Sequence, residues 1–341
     1  MDIELFDYDL DPSLIAQTPL KDRDKCRLLV VDKTNKTYKD EPHFYEILKY
    51  LKKGDVLVRN NTKVIPARIY GIKEETNAHI ECLLLKNLGN DVYECLIGNA
   101  RVIKLGTKIK FSDKLYGECI EVKDEGIRII KFIYEGIFLE ILEEIGNMPL
   151  PPYIKEKIRD KNDYQTIYAS KEGSSAAPTA GFHFSEELFA KIKEMGIDVI
   201  DVTLTIGLGT FRPVKEKDVL KHHMHEEEYE ISEEAAAFLN KAKKDGRRII
   251  GIGTTSLRTL EANISKYGEF KATKESTDIF IYPGYSFKAI DALITNFHLP
   301  KSTLIMLVSA LMGREFTMEV YKHAVEERYR FFSFGDAMFI Y

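Results

Sequence analysis

The string H-x-M-H-x-E places His222, His225 and Glu227 within six residues, with Met224 between the histidines. On a helical turn, two histidines three apart face one way, and a carboxylate two further on could complete a zinc triad. The spacing is not the HExxH of metalloproteases, and no third histidine stands where it would help. The same residues suit a general base, with Glu227 orienting a neutral imidazole that titrates near neutrality. As a solvated polar helix end they would do no chemistry. The string alone leaves the three readings open.

Glycine-rich strings offer a second kind of site. GSSAAPTAGFHF (residues 173–184) has small residues that let a backbone approach a ligand, and His183 near its end precedes Ser185, a helix N-cap. The dipole at that helix end disfavours the imidazolium and keeps His183 neutral. TLTIGLGTFRPV (residues 203–214), with Gly207, Gly209 and Arg212, is no dinucleotide fingerprint, because no GxGxxG opens a helix. GIGTTS (residues 251–256) lacks the GK[ST] of a P-loop, yet it could seat a carboxylate or phosphate on a helix N-terminus, with Arg258 one turn in. Tight connections built only for packing would use the same small residues.

Aromatic residues gather late: Tyr282, Tyr285 and Phe287, then Phe297 beside His298, then Phe331, Phe332 and Phe334 after Arg330. Most suit a core; a planar or cationic substrate could stack on some. Basic residues bunch three times: Lys155, Lys157, Arg159 and Lys161; Arg212, Lys215, Lys217 and Lys221; Lys241, Lys243, Lys244, Arg247 and Arg248. Such runs are usually solvated faces.

The elements that must position these residues differ along the chain. From residue 65 to about 133, short β-branched or alternating runs are broken by turn signals, which predicts an antiparallel barrel or sandwich. IFLEILEEI reads as a helix stopped by Gly146, and GNMPLPPYI as a stiff hinge. Beyond it, Ser185 and Ser232 cap helices ending at Gly196 and Gly246. RRIIGIGTTS predicts a buried strand delivering a turn into a helix, and IDVIDVTLTI, TDIFIY and ALITNF predict further strands. Strands alternating with helices imply an α/β layer. The expected fold is therefore α/β, a mixed, mostly parallel sheet with flanking helices over residues 1–64 and 151–341. A smaller antiparallel β-barrel domain, residues 65–150, is inserted into it.

The 341 residues are 44% hydrophobic and 11% aromatic, which excludes global disorder. The longest strongly apolar run, residues 304–312, falls short of the ~20 residues a bilayer span needs, so no membrane partner is expected. The acidic start, MDIELFDYDL, is unlike a secretion signal, and four scattered cysteines without a CxxC pair fit a reducing cytosol. The formal charge of -5 excludes an indiscriminate polycation but leaves room for a local basic patch.

Taken together, the strings FDYDLDPSLIAQTPLKDRDKCRLLV, GDVLVRNNTKVIPARIYG, GNMPLPPYI, DYQTIYA, GSSAAPTAGFHF, VTLTIGLGTFRPV, HHMHEEEYEIS, GTTSLRTLE, TDIFIYPGYSFKAIDALITNFHLPKSTLIMLVSALMG and YRFFSFGDAMFIY cover nearly the whole chain. In number and order they resemble the S-adenosylmethionine:tRNA ribosyltransferase-isomerase family of the queuosine pathway. Two positions depart from the family pattern. Thr205 stands where the family reads VTLHVG, so a catalytic role for that histidine does not carry over, and Ser175 stands where valine or a similar residue is usual.

The resemblance implies an α/β domain with a smaller β-barrel domain and a specific reaction. The ribosyl carbons of S-adenosylmethionine, a co-substrate, move onto the aminomethyl group of a 7-deazaguanine at the tRNA wobble position. The product is epoxyqueuosine, with adenine and methionine released. Such chemistry needs a base beside the sulfonium and an acid for departing adenine. The expected acid–base pool is His183, His225 and His298, with Glu227 orienting His225 and Asp278 near the substrate amine. Gly253, Thr254, Thr255 and Arg258 are expected to grip the methionine carboxylate. Tyr282 and Phe297 would stack on adenine or face the sulfonium, and Arg330, Phe331 and Asp336 would hold the deazaguanine. No metal is expected. A cytosolic monomer acting on tRNA is the resulting picture, with RNA held by the basic clusters if they converge on the pocket.

Overall fold

RRIIGIGTTS folds as a strand running straight into a helix: Ile249–Ile252 is buried at every position and Gly253 begins the helix. That continuous apolar run marks a central strand covered on both faces. The computed structural model describes residues 1–156, 158, 160–207 and 216–341.

In chain order come β1 (Leu28–Asp32), β2 (Thr37–Glu41), β3 (Val56–Asn60), β4 (Thr62–Val64), β5 (Arg68–Lys73), β6 (His79–Gly89), β7 (Val92–Gly98), β8 (Lys108–Lys110), β9 (Leu115–Val122) and β10 (Ile127–Tyr134). Helix α1 (Phe138–Ile145) and β11 (Lys171–Ser174) follow, then α2 (Glu186–Glu194), β12 (Asp198–Leu204), β13 (Glu227–Ile231), α3 (Glu233–Lys244) and β14 (Ile249–Ile252). The remainder is α4 (Gly253–Tyr267), β15 (Thr273–Thr277), β16 (Ala292–Asn296), α5 (Thr303–Met312), α6 (Arg314–Glu326) and β17 (Ala337–Ile340).

The chain divides into two compact units. One comprises Met1–Thr62, Pro152–Lys171 and Pro178–Tyr341; the other comprises Lys63–Pro151 and Glu172–Ala177. In the first, a mixed sheet has the order β15-β13-β12-β3-β14-β16-β17-β1-β2. Its centre, β12-β3-β14-β16, is parallel. Strand β17 runs antiparallel to β16 and parallel to β1. One face is closed by Leu57, Ile250, Ile252 and Ile294 packing with Phe44, Phe184, Leu188 and Ile192. Leu188 and Ile192, four apart on α2, form its buried stripe. Helix α4 packs on β3, β12, β14 and β16. Ser185 and Ser232 cap α2 and α3 as expected, accepting from Leu188 N and Ala235 N.

TDIFIY is not a strand. The pairing with β13 runs from Thr273 to Thr277 and ends before Asp278. Ile281 is buried without ladder partners, so its apolar character serves packing.

The second unit is a closed barrel, β10-β7-β6-β5-β8-β9, which leaves no exposed sheet edge. Cys82, Cys95 and Cys119 are buried in it, and all four cysteines are free thiols. Ser175, in the valine-like position, is buried and donates to the Leu84 carbonyl at 3.0 Å, so its hydroxyl is satisfied.

Candidate active site

The parallel strands converge their carboxyl ends on one edge of the sheet, where open α/β sheets bind ligands. Asn60, Leu204, Ile252 and Asn296 end β3, β12, β14 and β16 there. Because Asn296 pairs with Ala337 and Leu28 with Ala337, the starts of β17 and β1 reach the same edge. That geometry gathers Asp336 and Cys26, just before those starts, with Gly253 and His298, just after the ends.

Gly253 has φ +85, a conformation glycine adopts without strain, and this lets β14 turn into α4 within one residue. Among the described residues, the N-cap position of α4, Ile252, gives no side-chain bond to the first-turn amides. Arg258, one turn in and 3% exposed, gives Nη1 to Glu227 Oε2 in a buried ion pair. Glu227 Oε1 accepts from Gly207 N at 3.3 Å. Among the described residues, Arg258 Nε and Nη2 and Thr255 Oγ1 are buried without hydrogen-bond partners. A helix start, a hydroxyl and the open edge of a guanidinium are donors of the kind that meet a carboxylate.

Glu227 therefore holds Arg258 rather than His225, which is exposed. The reason is local. Glu227 opens β13 with its side chain buried, whereas His225 lies in the irregular run before that strand with its side chain exposed. His222, half-buried, packs edge-on against Phe280, and burial lowers its pKa. Among the described residues, no group of three His, Cys, Asp or Glu is placed to hold a metal ion. The zinc-triad reading thus has no geometry here.

His183 is buried between two partners. Asn296 Nδ2 donates to its Nε2 at 3.1 Å, and Cys26 Sγ lies 3.1 Å from its Nδ1. Asn296 Nδ2 also donates to the Phe332 carbonyl, which can only accept, and this fixes the amide orientation. The His183 proton then sits on Nδ1, facing sulfur. Burial pushes its pKa down to about 3, with Arg23 and Arg330 adding to the shift. The neutrality expected from a helix dipole arises here mainly from desolvation. The Cys26 thiol is pushed up by burial and stays protonated. Cys26, His183, Arg23 and Ser333 line a cavity of about 20 Å³. His298 is likewise lowered to about 3 by burial, and its Nε2 lies 2.8 Å from Thr295 Oγ1.

Other expected ligand contacts are spent on structure. Phe297 is fully buried among Tyr321, Tyr329 and Phe331, and Phe331 is equally buried, so neither ring offers a face to a ligand. Asp336 accepts from Arg27 N and Arg330 N, one bond per oxygen, and closes the turn before β17. Burial raises its pKa. Arg330 donates to the Thr18 carbonyl, while its Nη1 is buried with no partner among the described residues. Tyr282 is half-buried against Phe280, and Asp278 is exposed beyond β15.

Of the basic clusters, Lys157, Arg159, Arg212 and Lys215 lie outside the described residues, as does Gly209. Arg247 pairs with Asp198, and Arg248 with Asp55 at 2.5 Å, at the amino ends of β12, β14 and β3. Those two arginines sit at the opposite end of the sheet from Gly253. The third cluster therefore does not converge on this site.

A model of the queuosine biosynthesis protein family matches residues 3–340. The chain belongs to that family of enzymes. A queuosine-family relative from Staphylococcus haemolyticus, an S-adenosylmethionine:tRNA ribosyltransferase-isomerase, is 55% identical over 341 residues, the whole of both chains. A crystal structure of an S-adenosylmethionine tRNA ribosyltransferase from Thermotoga maritima is 37% identical, covering 99% of this chain and 100% of that one, with a TM-score of 0.57. In this queuosine-family chain, Cys26 and Asn296 are contacts of His183 that sequence reasoning missed. The available signal was position: a polar residue closing the buried run ALIT, and a cysteine opening RLLVV.

Proposed function

We propose that the chain transfers and isomerises the ribosyl moiety of S-adenosylmethionine onto the aminomethyl group of 7-aminomethyl-7-deazaguanine at the wobble position of tRNA. Epoxyqueuosine forms, and adenine and methionine leave. Family membership over the full chain supports the reading. The structural observation that carries it is the unsatisfied anion receptor of Arg258, Thr255 and the α4 amides. It suits the methionine carboxylate, with Gly253 and Thr254 letting the backbone come close.

The remaining roles follow from the chemistry. The proton beside the sulfonium needs a base, and departing adenine needs an acid; His183, His225 and His298 form the pool. His183 lines a small cavity with room for about one water. Cys26 and Asn296 orient it. Methionine leaves as a neutral thioether and needs little assistance. Tyr282 stacks on adenine or faces the sulfonium. Arg330 Nη1, without a partner among the described residues, donates to the deazaguanine carbonyl, and Asp278 meets the substrate amine. Four unpaired thiols fit work in a reducing cytosol.

The test is incubation with tRNA carrying the aminomethyl-deazaguanine and S-adenosylmethionine. Free adenine and a new nucleoside are expected. S-adenosylhomocysteine in place of adenine would show methyl transfer and sink the proposal.

A further inference from the structure

The barrel unit contains a cavity of about 580 Å³, all of whose lining residues belong to that unit. Its size falls within the roughly 300–1,000 Å³ of small-ligand pockets. One wall is aromatic. The Phe138 ring lies 5.2 Å from that of Tyr93 and 5.1 Å from that of Tyr134, and all three line the cavity. At the rim Ile137 is 59% exposed, an apolar side chain left to water.

The polar groups are few and specific. Tyr134 donates to Asp91 Oδ1 at 2.7 Å, which holds the carboxylate against the aromatic wall. Tyr93 Oη accepts from Asn87 Nδ2 at 3.0 Å, so its own proton is available to donate. Burial pushes its pKa up to about 12, which keeps that proton on. Glu172, the other acid of the lining, is paired with Lys63 at 3.0 Å. Lys86 has no ion-pair partner among the described residues. The turn is preset as well. Gly89, Asn90 and Asp91 all have positive φ, a conformation these residue types tolerate.

An aromatic wall whose tyrosine rings tilt 35° and 42° from the Phe138 plane, a fixed carboxylate, a phenol donor and one ammonium unpaired among the described residues match a planar base with an N–H and amine edge. We propose that this cavity takes one unpaired guanine-type nucleotide of the RNA substrate. The base stacks on the half-buried Tyr134 ring, which the buried Phe138 backs, and donates its ring N–H and amine to Asp91, while Lys86 meets the adjoining phosphate. One stacked base and one phosphate contact give little affinity alone, so the occupant is part of a polymer rather than a free nucleotide. The inference rests on the tRNA reading above for the identity of the RNA.

The test uses the full chain and three variants at exposed or half-buried positions, Asp91→Asn, Lys86→Glu and Tyr134→Leu. Asp91→Asn keeps the positive φ and the size of the side chain. Binding of an anticodon stem-loop RNA is measured without S-adenosylmethionine, alongside KM for tRNA and for S-adenosylmethionine. Each variant is expected to weaken stem-loop binding and raise the KM for tRNA about tenfold, leaving the KM for S-adenosylmethionine within twofold. Guanosine monophosphate is expected to bind wild type at least a hundredfold more weakly than the stem-loop. Unchanged stem-loop binding in Asp91→Asn and Tyr134→Leu overturns the proposal, as does guanosine monophosphate binding as tightly as RNA. A wild-type chain that releases no adenine would fail the enzyme reading instead, and stem-loop binding would still decide this one.

Discussion

Glu227 binds one end of the Arg258 guanidinium and leaves the Nε–Nη2 edge facing away from it, buried and without a partner among the described residues. A carboxylate meets that edge with two parallel bonds, which a lysine ammonium cannot reproduce. Arg258→Lys should therefore raise the KM for S-adenosylmethionine at least tenfold, with the fold retained. Steady-state kinetics check this, and an unchanged KM removes Arg258 from the substrate site.

Glu227→Gln makes a different prediction. It leaves a buried guanidinium without its counter-charge, a change that costs about 3–5 kcal/mol. Urea unfolding should show the loss directly. If Glu227 served mainly to orient His225, stability would hardly change.

Thr255 separates binding from folding. Its hydroxyl is buried with no partner among the described residues, so Thr255→Val removes no hydrogen bond seen among them. The melting temperature should hold or rise, while the KM for S-adenosylmethionine increases several-fold. A fall in melting temperature with unchanged KM would make the hydroxyl structural.

Two glycines are geometric requirements. Gly253→Ala forces φ +85 on a residue with a Cβ, costing about 1–3 kcal/mol at the mouth of the anion receptor. At Gly181 an added Cβ would lie 2.0 Å from the Tyr168 hydroxyl. Gly181→Ala should lower the melting temperature, and Tyr168→Phe should restore part of it. No restoration would place the strain elsewhere.

His183 and His298 set the acid side of stability. Each has a pKa near 3 in the folded chain against 6.5 ordinarily, because burial disfavours the charged ring. Between those values the unfolded chain binds protons that the folded chain does not. The stability they contribute is fully present above about pH 6.5 and falls as pH drops towards 3, by up to about 1.4 kcal/mol per pH unit for each ring. His183→Gln should flatten the fall between pH 6 and 4, read from urea midpoints. An unaltered slope would mean that His183 titrates normally.

Local signals were legible in the sequence and long-range partners were not. Ser185, Ser232 and Gly253 mark element ends through their own backbone chemistry, so caps and turn could be read directly. The period of the barrel strands was equally plain. The partner of Glu227 was misread because Arg258 is 31 residues away whereas His225 is two, and only the β13–β12 pairing brings the distant one near. Phe297 and Asp336 looked like binding residues because aromatic and acidic side chains serve cores and turns as readily as ligands. Asn296 and Cys26 meet His183 from 113 and 157 residues away, which no spacing rule reaches.

The most direct measurement follows the ribose carbons. S-adenosylmethionine labelled in its ribose is incubated with the chain and tRNA bearing the aminomethyl-deazaguanine, and the label is traced. The account predicts label in a single tRNA nucleoside, with one adenine and one methionine released for each nucleoside formed. Label retained in S-adenosylhomocysteine, or never reaching RNA, would contradict it.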